Sequence, residues 1–194
     1  MATLSFHHLY NEKRTAHAAA FLLYQAGGSL PTLKLLKLLY LAERASLQRF
    51  GEPIAGDRLV SMDQGPVMSL TYEHINGSRA SVEGGWETWI SERANHKVAL
   101  QNPDSIKDPQ TDLLELSRND LEVLGDVWHQ FGAFDRWALV EYTHKHCPEW
   151  QDPDGSMIPI DHKVLFAVLG YDVDQSQALI EHLSEQSSLN RVFS

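Results

Sequence analysis

One cysteine in 194 residues, Cys147, leaves no partner for an intramolecular disulfide, which points to a reducing compartment. No stretch approaches the about 20 continuous apolar residues that a membrane helix needs. The first residues run into polar Asn11, Glu12, Lys13 and Arg14 without the apolar core of a signal peptide. A cytoplasmic protein with no membrane partner is expected. Basic residues are also scarce, 16 Lys plus Arg against 26 Asp plus Glu, for a net charge of -10 with histidines neutral. Such a field repels a polyphosphate backbone, so nucleic acid is disfavoured as a partner, and it attracts a basic protein surface. No G-x-S-x-G nucleophile elbow occurs.

What remains is ample material for a core, with 43% hydrophobic residues. Residues 1–150 read as one domain, and 151–194 as a C-terminal helical extension packed on it. Ala16, Ala19, Ala20 and Leu23 recur at helical spacing and stop at Gly27-Gly28. Pro31 suits the first turn of a second helix that runs to Phe50, with Gly51 as its stop. The apolar residues of this helix cover more than one stripe, so it is expected at the centre. Its remaining face carries Lys34, Lys37, Arg44 and Gln48, and is expected to lie open to water or to a partner.

Arg58 to Met62 reads as a short strand broken by Gly65-Pro66, and Val67, Leu70, Thr71 and Ile75 as a short helix ending at Asn76-Gly77. Trp86 to Gln101, with its polar Ala94-Asn95-His96 centre, reads as a β-hairpin that joins the first strand in one small antiparallel sheet. Trp86 and Trp89 then point to opposite faces, with at least one expected to be exposed near the hairpin edge. Ser117 and Asp120 form a capping-box signature for a helix carrying Leu121, Leu124, Trp128 and Phe131. A helix from Asp135 ends at Pro148, Asp152-Pro153-Asp154-Gly155 is a turn, and Asp161 caps a further helix up to Gly170. Ile180 and Leu183 suggest one more helix before a polar tail. The fold class is mainly α (α+β), a helical domain with a small inserted antiparallel sheet or hairpin.

The chemistry-bearing groups are few. Gly51-x-x-x-x-Gly56 begins like a phosphate loop, but Asp57 and Arg58 stand where lysine and a hydroxyl are needed. His144, His146 and Cys147, with Asp152 or His162 as a fourth donor, are the one compact group of zinc-ligand types. A small metal-dependent hydrolase built on them is the alternative reading. On a continuing helix, however, residues 144 and 146 diverge by about 200°. A DNA-binding regulator using Lys34, Lys37 and Arg44 is a further alternative, opposed by the acidic balance. The expectation is no enzyme, no cofactor and no metal. Five tryptophans supply aromatic anchors of the kind protein interfaces favour.

The ordered set Lys34-Leu35-x-Lys37-Leu38-Leu39-Tyr40, Pro53-Ile54-x-Gly56-Asp57, Gly65-Pro66-Val67, Leu116-Ser117 and Thr143-His144 resembles the Panacea, or SocA-like, antitoxin family, which also includes proteins labelled phage-associated. Leu36 stands where that family often has glutamine. The resemblance implies a non-enzymatic antitoxin of a type II-like toxin-antitoxin system that neutralises a cognate protein toxin by direct binding. In a SocA-like branch it implies delivery of that toxin to an ATP-dependent protease as well. On this reading Lys34, Lys37, Tyr40, Arg44, Asp57, Gly65 and Pro66 place or form the partner-binding groove.

Overall fold

The structure, a computed structural model, describes residues 8–193. Helix α1, Glu12–Gln25, begins where the Asn11 side chain accepts the Arg14 N–H, and it is buried along Thr15 to Leu23. Its run of alanines lets neighbours approach closely, and α2, Thr32–Phe50, packs against it. Twelve of the 19 residues of α2 are buried, including Lys37, Tyr40 and Glu43, so α2 is the central helix. It ends at Gly51, whose φ of 68° is the left-handed stop that its position predicts.

The strands form two small antiparallel sheets rather than one. β1, Ser29–Pro31, pairs with β4, Lys97–Ala99. In the second sheet β2, Leu59–Met62, sits between β3, Gly65–Met68, and β5, Ile158–Pro159. Gly65-Pro66 therefore opens the return strand of a tight hairpin instead of breaking the sheet. Pro66 is tolerated there because, among the described residues, β3 is an edge strand with no neighbour on its outer side, where a missing N–H leaves no ladder bond unmade. The expected hairpin exists only in part. Ile90 bridges Leu100 and Ala94 bridges Lys97 around Asn95 and His96, both left-handed, but its strand joins β1. Its leading end is the short helix α4, Trp86–Trp89. The Glu12 carboxylate explains this departure, since its Oε1 accepts from Ser81 Oγ, Val82 N and Trp86 N, drawing residues 81–86 onto the start of α1. Trp86 is consequently buried, and Trp89 packs edge-on against His17.

The remaining helices are α3, Ser69–Ile75; α5, Pro109–Asp112; α6, Arg118–Phe131; α7, Arg136–His146; α8, His162–Val168; and α9, Val173–Phe193. The Ser117–Asp120 capping box forms at the start of α6. The buried side of α6 is Val123, Leu124, Val127 and Phe131, with Leu121 and Trp128 at its margins. The expected polar tail is helical to Phe193, with Ser184 and Ser188 hydroxyls bonded one turn back. Ile160, Leu165, Phe166, Ile180 and Leu183 belong to the same apolar cluster as α1 and α2. The fold class is thus mainly α with a small β component, and no helix among the described residues is long and apolar enough to cross a membrane.

Gly56 marks the tightest junction of this frame. Its φ is 65°, and a Cβ there would stand 2.4 Å from the Leu9 carbonyl oxygen, while Asn11 N donates to Ala55 O nearby. Gly56→Ala is expected to cost about 2–4 kcal/mol, from left-handed strain plus a clash with backbone. Gly27→Ala, equally left-handed but facing open space, should cost about 1–2 kcal/mol. Urea denaturation of the two variants side by side checks the difference.

Candidate functional site

Of the residues singled out by the sequence, all but Asp57 lie on the side of α2 that meets α7 and β3, and Asp57 stands apart at the start of α3. Lys34 Nζ donates to Gly132 O at 2.6 Å and lies 5.5 Å from the centre of the Trp128 ring. One turn on, Lys37 is fully buried and donates to Pro66 O at 2.8 Å. Tyr40 Oη and Arg44 Nε both donate to Glu149 Oε1, each at 2.7 Å. Lys34 near the start of α2 meets Gly132, just before α7, and Tyr40 and Arg44 further along meet Glu149, just after it, while Lys37 between them meets the β3 strand, so α2 and α7 run in the same sense with a polar ladder that brackets α7. The expectation that this face of α2 lies open is corrected. Lys37, Tyr40, Asp57, Gly65 and Pro66 are buried, and Lys34 and Arg44 are partly covered. Gln48 alone of the four on that face stays exposed, with its amide donating to Leu169 O at 3.3 Å.

Each glycine, proline and carboxylate of the loop motifs has a place in this frame. A Cβ on Gly65 would stand 2.7 Å from Thr143 Oγ1 and 2.9 Å from Lys37 Nζ. Only the bare backbone lets the hairpin lie against the amine. Asp57 accepts from Arg58 N, Leu70 N, Thr71 N and Thr71 Oγ1. It caps α3, whose own N-cap residue, Met68, supplies no side-chain bond. Burial pushes the Asp57 carboxyl above its ordinary value. Glu43 was not singled out from the sequence. Its carboxylate lies in a cradle of three backbone N–H groups, from Ile54, Ala55 and Gly56, each at 2.8 Å. Burial pushes it up to about 7 against the pull of those donors. Glu149, also missed, is the shared acceptor of the ladder. The one signal for Glu43 is its place in the apolar run of α2, where a carboxylate requires internal donors; Glu149 follows a helix-ending proline and carries no comparable signal.

The zinc-type group does not assemble. His144 stacks on Trp150 with ring centres 4.0 Å apart, His146 lies against Tyr142, and Cys147 points into the core. Among the described residues no three His, Cys, Asp or Glu side chains are grouped to hold a metal ion. Burial raises the Cys147 thiol to about 12, which leaves almost no thiolate to act as a nucleophile. The DNA-binding alternative fares no better, because Lys34, Lys37 and Arg44 already have acceptors within the fold.

The ladder leaves its outer side open. Of the five tryptophans Trp137 alone is exposed, at 54%, on the outer face of α7 with the Arg136 guanidinium 5.1 Å from the ring centre. Val140 is half-buried one turn on, and the β2–β3 hairpin, with its exposed Asp63-Gln64 turn, lies against Thr143 and His144 of α7 at Gly65 and is tied beyond that helix by Trp150 Nε1, which donates to Met62 O.

Two measurements follow from the buried groups. Burial lowers the Lys37 amine from 10.5 to about 7, so between those values the folded protein holds fewer protons than the unfolded chain, and stability rises with pH. Below about 7 both states are charged and the full cost of burying the ammonium remains. From about pH 7 to 8.5 the contribution of Lys37 to stability should climb by at most about 1.4 kcal/mol per unit, and Lys37→Met should remove that slope. Urea titrations at several pH values check it. Cys147 should resist a thiol reagent in the native protein and react fully in denaturant; native labelling at the rate of a free thiol contradicts the burial described above.

The family described as "Antitoxin SocA-like, Panacea domain" matches residues 35–151, more than half of the chain. Comparisons with curated proteins and with solved structures gave no match. The match begins within the first turn of α2, just after Lys34, and ends just past Glu149 and Trp150, so it spans most of α2, the β2–β3 hairpin, the 90–100 bridge region and α7. The chain belongs to the SocA-like antitoxin family with a Panacea domain.

Proposed function

We propose that this protein is the antitoxin of a type II-like toxin-antitoxin pair, a cytoplasmic, non-enzymatic protein that neutralises a cognate protein toxin by direct contact. Family membership implies a protein partner. The observation that carries the choice of surface is Trp137, an exposed aromatic on a helix that packs on α2 and whose two flanks are held by Lys34 to Gly132 and by Tyr40 to Glu149. Large aromatic residues on rigid elements dominate binding energy, because little freedom is lost when they are covered. The contact face we assign comprises Trp137, Val140 and the Asp63-Gln64 turn. Lys34, Lys37, Tyr40, Arg44, Asp57, Gly65 and Pro66 serve recognition from below. They set the height and register of α7 and the hairpin, and the toxin touches what they hold.

Co-expression with the product of an adjacent open reading frame tests the reading. That product should be toxic alone and harmless beside this protein; if no neighbour is toxic, the antitoxin reading falls. Trp137→Ala should weaken the complex by about 2 kcal/mol or more, roughly 30-fold, with an unchanged circular dichroism spectrum. Full protection and unchanged affinity in that variant would move the contact away from α7 while leaving neutralisation itself standing.

A further inference from the structure

A groove of about 750 Å³ opens between α1, α5 and the start of α6, and it shares no residue with the α2–α7 ladder. Its volume falls within the range of clefts that bury a ligand, about 300–1,000 Å³. The floor is apolar, formed by Phe21, Leu116, Leu121 and Pro109. The rim carries Asp108 and Glu122, with Arg118 as its cation and Gln110 between. Neither Arg118 nor Glu122 has an ion-pair partner among the described residues. The charged residues of the lining are two carboxylates, Asp108 and Glu122, and one cation, Arg118, an excess of one negative charge.

Both walls are held open by internal hydrogen bonds. Asp112 Oδ2 accepts from Lys107 N and Asp108 N at 2.7 and 2.9 Å, and Asp108 Oδ1 accepts from Gln110 N. The opposite wall starts at the Ser117–Asp120 capping box, which Arg14 ties to α1. An occupant therefore meets a preformed site, and little ordering cost falls on the protein. Apolar floor, acidic rim and fixed walls together suit one chemistry.

We propose that this groove docks a short basic amphipathic segment of a partner protein, its apolar side chains on Phe21, Leu116 and Leu121 and its lysines or arginines at Asp108 and Glu122. This goes beyond the toxin-contact face on α7 and rests on separate residues, so each stands or falls alone.

The test uses the full chain and a fluorescein-labelled peptide of about 14 residues with lysine and leucine at helical spacing, read by fluorescence anisotropy. Saturable binding is expected. Asp108→Asn with Glu122→Gln should weaken it about three- to fivefold, as befits two exposed charge pairs, and Leu121→Asp should weaken it further. Asp108→Asn keeps a side-chain oxygen able to cap α5, and Glu122 is exposed, so the double variant should fold. A control pair on α9, Glu181→Gln with Glu185→Gln, and Trp137→Ala should leave binding unchanged. Equal loss from the α9 pair would reduce the effect to the net field of the protein and overturn the proposal. Loss in Trp137→Ala, equal binding of a peptide with glutamate in place of lysine, or no saturable binding would overturn it as well.

Discussion

Almost everything in this fold follows from the fact that its central helix is polar where it is buried. α2 carries an amine, a phenol and a carboxylate into the interior at Lys37, Tyr40 and Glu43. A buried polar group without a partner costs roughly 1–3 kcal/mol, and more if charged. The rest of the chain is arranged to supply those partners. The Pro53–Gly56 loop turns three N–H groups toward Glu43, the hairpin lends the Pro66 carbonyl to Lys37, and Glu149 reaches back to Tyr40 and Arg44. These contacts contribute modestly to stability one by one. Their larger effect is to specify geometry, since slipping any of them by a residue strands a buried donor or acceptor.

The helices were largely legible because their ends are marked by local chemistry. Gly51 in the left-handed region, Ser117 with Asp120, Asp135 and Asp161 each act within a few residues of themselves, and such signals survive without knowledge of the rest of the fold. The sheets were not legible in the same way. Which strand β2 pairs with depends on β5, almost 100 residues downstream, and the conversion of Trp86–Trp89 to helix depends on Glu12. Strand pairing is set by distant partners, and short apolar runs fit several.

The site shows the same division in sharper form. Lys34, Lys37 and Arg44 lie on one side of a helix, and the ordinary inference from such a stripe is a solvated face. It fails here because the acceptors, Gly132 O, Pro66 O and Glu149, arrive from later in the chain and cover that side. Asp57 and Gly65 were identified as special and their reasons became visible only in three dimensions, one as the cap of a helix that lacks its own and the other as the point where a hairpin backbone rests on an amine. Trp137 was one of five tryptophans with nothing in its local pattern to set it apart. Its exposure is a property of how α7 lies on α2.

That division bears on how such a domain can serve recognition. The residues that carry the family resemblance are chiefly those of the buried frame, and a frame of this kind fixes where α7, the β2–β3 turn and the 104–122 segment stand without dictating what their outer side chains are. Lys37 and Glu43 cannot change without stranding their partners. Trp137, Gln64, Leu114 and Glu122 touch few internal groups and are free to change with little cost to the fold. On the proposed reading, then, family identity resides in the interior and partner identity in the exposed residues. A toxin-binding surface can then be altered on this scaffold while the polar ladder beneath it stays as it is, because the two sets of residues answer to different constraints.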